Sequence, residues 1–133
     1  MKRALLLAVI FCGACNTFPP DSANKPSAIN RDAAKLDGQV VTIVGWMVLE
    51  HEELAIWDQQ KDRDANSHPD RCISVLVPKS IEASLRTFNR QYVKLSGIFH
   101  RDVAAMKPTM FFGLCNTTAV EVLPGRMPEI VSP

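Results

Sequence analysis

The sequence is poor in the features that mark a catalytic site. No Ser or Cys sits in a nucleophile-elbow setting, and no glycine-rich phosphate loop is present. Histidine is scarce: His51, His68 and His100 lie in separate stretches, without the close spacing that brings ligands onto one zinc ion. His51-Glu52 is only a fragment of an HExxH zinc motif, since Ala55 stands at the second histidine position. An excess of one charge is also missing, with 15 Lys and Arg against 14 Asp and Glu. Without residues 1–14, which hold Lys2 and Arg3, the balance is 13 to 14. So even a balance gives no broad attraction to phosphate backbones and disfavours nucleic acid as a partner. No internal repeat is visible. These absences lead to the expectation of a non-enzymatic protein with no catalytic residues, no metal site and no cofactor.

What is present begins with an export signal. Met1-Lys2-Arg3 is a basic start, and Ala4–Phe11 is an unbroken apolar run. That run falls short of the roughly 20 residues of a permanent membrane helix and suits a signal h-region. Gly13-Ala14-Cys15 follows and resembles the lipobox of bacterial lipoproteins, although Cys12 stands where that motif usually has an aliphatic residue. The resemblance implies a signal peptide over 1–14, lipidation of Cys15 and attachment to the membrane. Asn16 after the cysteine resembles outer-membrane sorting, which implies an envelope protein facing the periplasm. Cys12 and Cys15 also have thioredoxin-type spacing, but they lie in an apolar export signal rather than in a strand–helix setting. Residues 15–35, with Pro19, Pro20 and Pro26 among Ser, Asn and Asp, read as a lipidated cysteine and tether.

Beyond the tether, the chain alternates. Gln39–Glu50 is rich in Val, Ile, Thr and Trp, with Gly45 near its middle, and reads as a strand bent at a barrel corner. Glu50–Glu53 is a polar turn and Leu54–Trp57 a second strand. The polar loop Asp58–Asp70 leads to a third strand, Arg71–Val77, which Pro78 ends. Ile81, Leu85 and Phe88 recur at helical spacing after a candidate N-cap at Ser80. Tyr92–Phe99 is a fourth strand with a late Gly97, and Thr117–Leu123 a fifth after an irregular loop over Arg101–Leu114.

Five strands with one short helix between the third and fourth resemble the OB-fold, and LDGQVVTIVGW resembles its opening strand. The expected fold is therefore all-β: a five-stranded OB-fold-like barrel over 36–124, followed by a tail, 125–133. An SH3-like barrel is the main competitor, although it does not explain the helix as well. In the implied topology strands three and five are parallel neighbours, so Cys72 and Cys115 fall at the same end of adjacent strands. A disulfide between them is expected, against the alternative of two buried thiols.

The OB resemblance also implies a ligand surface across strands two and three and the 1–2 and 4–5 loops. On this chain that surface takes in Glu50–Glu53, Phe111 and Phe112, and singles out Trp57, Arg101 and Lys107 as contact residues. The aromatics have an alternative role as core or barrel plug. Asp62-x-Asp64-x-Asn66 resembles half of a calcium loop, but Ser67 and Ile73 replace the turn glycine and closing Glu. The resulting reading is an envelope lipoprotein whose barrel binds a protein or small molecule. Alternatives are an exported binder of single-stranded nucleic acid or glycan, and a small hydrolase or metal-dependent enzyme.

Overall fold

A computed structural model describes residues 24–65, 68–106 and 115–133. Five strands close on themselves: β1 (Val40–Glu50), β2 (Glu53–Trp57), β3 (Cys72–Leu76), β4 (Gln91–His100) and β5 (Ala119–Val122). The ladder runs β1-β2-β3-β5-β4, and β4 returns to β1 over eight registered pairs from Val40↔Ile98 to Met47↔Gln91. β3 and β5 are parallel and the other pairs antiparallel. This is the expected OB-like barrel, with a short helix between β3 and β4.

The closure depends on two strands that each serve two ladders. β1 pairs with β4 along its first part and with β2 from Trp46 onward. β4 likewise takes up β5 from Gly97 to His100. A Cβ at Gly45 would collide with the carbonyl oxygen of Trp57, and one at Gly97 with that of Glu121. Each glycine sits where the second ladder begins, so the missing side chain is what lets the third backbone approach. The barrel corner expected at Gly45 is thus a close crossing of backbone, and Gly97 makes a second one.

Alternation then fills the interior. Val41, Ile43, Met47 and Leu49 of β1 meet Ile56, Ile73, Val93, Leu95, Phe99, Val120 and Val122 in one buried cluster. Both barrel ends are closed by helices. At one end α4 (Glu82–Leu85) inserts Leu85, fully buried, with Ile81 and Phe88 packed beside it. The expected Ser80 cap is not formed: Lys79–Ile81 is a 3-10 turn, and Ile81 is the N-cap without a side-chain bond. Arg86 Nη1 donates to Leu49 O at 3.1 Å and Leu49 N to Asn89 Oδ1 at 2.8 Å, fixing this cap to the end of β1.

The other end corrects the tether reading. Within 15–35, Pro26–Arg31 forms helix α1 and Ala33–Leu36 helix α2, both docked on the barrel. Pro26 starts α1 where its lost N–H and fixed φ cost nothing. Ile29, only 4% exposed, enters the core. Polar bonds set the angle: Ser27 N donates to Asp58 Oδ1 at 2.8 Å, and Asn30 Nδ2 to the Asp70 and Cys72 carbonyls at 2.7 and 3.0 Å. Thr118 Oγ1 donates to Asn30 Oδ1 at 2.7 Å. The folded unit also runs past 124, since β6 (Glu129–Ile130) pairs with Val93 and Lys94 of β4.

The polar loop after β2 holds a short helix, α3 (Gln60–Asp64). Cys15 and the whole of the expected signal peptide lie outside the described residues.

Candidate functional site

The outer face of β1, β2 and β3 carries a second buried cluster: Val48, Ala55, Trp57, Cys72 and Cys115, with Trp46 packed at its edge. Cys72 and Cys115 are disulfide-bonded, with Cα atoms 5.4 Å apart, as the parallel neighbourhood of β3 and β5 implied. The bond fastens the connection entering β5 over the start of β3. It thereby helps cover the face that the OB resemblance made a ligand surface.

Trp57 is the main casualty. It is 2% exposed, and its Nε1 donates to Glu53 Oε1 at 2.9 Å. A contact role for Trp57 as a surface aromatic is corrected: the indole is a structural element of this cluster. Arg101 is exposed at the end of β4, where its backbone N donates to Asp37 Oδ1 at 3.0 Å and its Nε approaches Asp37 Oδ2 at 3.8 Å. It joins the α2–β1 connection to β4. Lys107, Phe111 and Phe112 lie outside the described residues.

The acidic 1–2 turn is largely engaged. Arg63 Nη2 lies 3.0 Å from Glu53 Oε2 and 3.6 Å from Glu50 Oε2, and Arg90 Nη2 lies 2.6 Å from Glu50 Oε1. The hydrogen bond that Arg63 donates to Glu53, reinforced by the charges of Glu53 and Glu50, raises the Arg63 pKa above its ordinary value. The half-calcium motif is likewise engaged. Asp62 is buried and held by Arg71 Nη1 at 2.8 Å, Asp64 faces Arg63 at 3.5 Å, and Asn66 is outside the described residues. His51 and His68 are exposed, while His100 Nε2 meets Glu121 Oε2 at 3.1 Å. Among the described residues no three His, Cys, Asp or Glu side chains are grouped to hold a metal.

A different site emerges on the outer face of β1 and β4. Here the register sets Thr42 opposite Ser96, Val44 opposite Lys94 and Trp46 opposite Tyr92. The first pair shares a 3.0 Å hydroxyl contact, and the aromatic pair meets edge to face with centroids 5.3 Å apart. Over this row lies a groove of about 430 Å³, within the range of small-ligand sites. Val44 and Tyr92 line its strand side, Asp58 and Gln59 one flank, and Lys25 and Lys94 contribute cations. The chain end from Val131 to Pro133 forms the remaining wall, anchored by Val131 N donating to Tyr92 O at 2.9 Å. A smaller groove of about 280 Å³ lies on the other side of Lys94, with Arg126 and Glu129 in its wall.

Sequence reasoning did not find this groove. Its walls come from the start of α1, β1, the end of β2, β4 and the tail, and only the closed ladder brings these together. The outward positions of β1 and β4 were legible from alternation, but nothing in the pattern distinguished them from ordinary surface.

No family model matches the chain, and neither a curated protein nor a solved structure matches it.

Proposed function

We propose that this chain is a non-enzymatic binding module of the bacterial cell envelope. It is held by a lipid on Cys15, at the outer membrane facing the periplasm, and takes a protein or small-molecule partner on its barrel. The observation that carries the binding reading is the groove over Val44, Tyr92 and Lys94, a concave surface with an apolar floor and charged rim on a rigid, closed scaffold. Rigid strands beneath a few convergent polar groups are what a recognition site requires. The charged residues elsewhere are mostly tied into ion pairs that hold the fold, as with Asp62 and Arg71 or Glu53 and Arg63. The alternative of single-stranded nucleic acid or glycan has less support, because Trp57, one of the aromatics expected to stack on it, is buried.

The test is in-cell photocrosslinking from Gln59, half-buried on the groove's flank. The expected result is a discrete adduct that disappears when Val44→Trp fills the groove. An exported, folded protein that yields no adduct, or one indifferent to Val44→Trp, would overturn this use of the groove.

A further inference from the structure

The same short tail walls both grooves on the outer face of β4, with Val131–Pro133 at the larger and Gly125–Met127 and Glu129 at the smaller. How that tail is held narrows the class of partner, provided the groove is the binding site proposed above. The barrel closes through the β1–β4 and β4–β5 ladders and does not need β6. On the edge of β4 away from β1, β5 takes Gly97 to His100, and among the described residues β6 alone pairs with the stretch before it. Packing adds little. From Pro124 to Pro133 only Pro128 is buried and Val131 half-buried, while Ile130 is 62% exposed. The tail is reached through a turn at Leu123–Arg126, closed by Arg126 N donating to Leu123 O at 3.1 Å, with Gly125 at φ 82°. An element held mainly by main-chain bonds, with few buried apolar contacts, opens at low cost. β6 can therefore leave while the barrel stays closed.

Its departure would uncover a strand edge with a defined side-chain preference. Val131 N donates to Tyr92 O at 2.9 Å, so alternation turns the N–H and C=O of Glu129 toward β4 as well and those of Ile130 away. Glu129 stands opposite Lys94, and both line the smaller groove. Val131 lies with Tyr92 and Val44 in the larger one. The tail thus sets a carboxylate against Lys94 and, on the next residue of the same face, an aliphatic side chain against Tyr92.

We infer that β6 fills, within its own chain, a strand-addition site on β4 whose partner is an extended protein segment of the same pattern: an acidic residue opposite Lys94 and an aliphatic one opposite Tyr92. Main-chain bonds to β4 supply the affinity and the two grooves select the side chains. The tail is then a built-in competitor, present at a roughly millimolar effective concentration, and a partner engages only by displacing it.

The probe is a fluorescein-labelled peptide with the sequence of residues 124–133, read by anisotropy against purified full-length protein. Glu129→Pro/Val131→Pro removes from the tail both N–H groups that face β4. The probe is expected to bind this double variant at least about tenfold more tightly than the wild type. A probe carrying Glu129→Lys should bind the double variant about threefold more weakly, and Lys94→Glu in that background should reverse the preference. In the wild type, the Val131 amide should exchange with solvent at least about a hundredfold faster than that of Val93, which faces β1. Equal binding of the two probes, no binding to a folded double variant, or a Val131 amide as protected as Val93 would overturn the inference. A double variant that fails to fold would make β6 part of the barrel and would overturn it too. Gln59 adducts still lost with Val44→Trp in those circumstances would leave the groove a binding site for a ligand of another class.

Discussion

Trp57 and Glu53 occupy the two ends of β2 and are joined by a 2.9 Å bond from the indole Nε1 to a carboxylate oxygen. The other oxygen of Glu53 takes Arg63, so one carboxylate ties the buried indole to α3. Trp57→Phe keeps most of the packing and loses the bond, with an expected cost of about 1–2 kcal/mol. Trp57→Ala also leaves a cavity beside the disulfide and costs about 3–5 kcal/mol. Urea unfolding of the two variants separates these contributions; a cost below 1 kcal/mol for Trp57→Ala would contradict the burial of the indole.

The Cys72–Cys115 bond closes a loop over 43 positions, which on the chain-entropy estimate stabilises the fold by about 4 kcal/mol. The double variant Cys72→Ala/Cys115→Ala is expected to lose much of that and to red-shift tryptophan emission as the outer cluster loosens. A thiol assay on unfolded, unreduced protein should find neither of these two cysteines reactive.

Gly45 and Gly97 are spatially demanding, because a methyl group at either would strike a neighbouring carbonyl. Gly45→Ala and Gly97→Ala are each expected to destabilise by about 2–3 kcal/mol, the range of overpacked cores. A shift in thermal midpoint checks this, with Ala34→Gly on the exposed side of α2 as a mild comparison. A neutral effect at both glycines would mean that the strands cross at a greater separation.

Ile29 distinguishes a docked N-terminal segment from a loose one. As part of a solvated tether, Ile29→Ala would alter stability by a few tenths of a kcal/mol. As a core residue capping the barrel, it is expected to cost about 2–4 kcal/mol. Asn30→Ala, which removes bonds to Asp70, Cys72 and Thr118, should act in the same direction in chemical denaturation.

Acylation is tested at Cys15 itself. Metabolic labelling with a radioactive fatty acid is expected to mark the wild-type chain and to fail for Cys15→Ser, which should also leave the membrane fraction. Label retained in the variant would place the modification elsewhere or remove the lipoprotein reading.

The strands were legible because their residues obey a period of two over long enough runs. Val41, Ile43 and Met47 of β1 declare their common face without help from distant residues, and Gly45 marks its corner by interrupting a β-branched run. The short elements were not legible. α1 buries only Pro26 and Ile29, too few positions to establish a helical period among prolines, serines and asparagines. Trp57 was misplaced for a different reason. Its strand and outward direction were inferable, but the covering of that face depends on a disulfide across the fold. The groove fails to show in the sequence for the same reason, since Lys25, Val44 and Lys94 become neighbours only through closure.

That closure also fixes an order of events. Val40 has no partner on its strand until Ile98 has been made and delivered, and the disulfide waits still longer, for Cys115. A chain whose first strand depends on its fourth folds slowly, as non-local topologies do. The second half of β1 can pair early with its neighbour β2 as a local hairpin, while its first half finds a partner only when β4 has been made, so the two sides of Gly45 belong to different stages of barrel assembly.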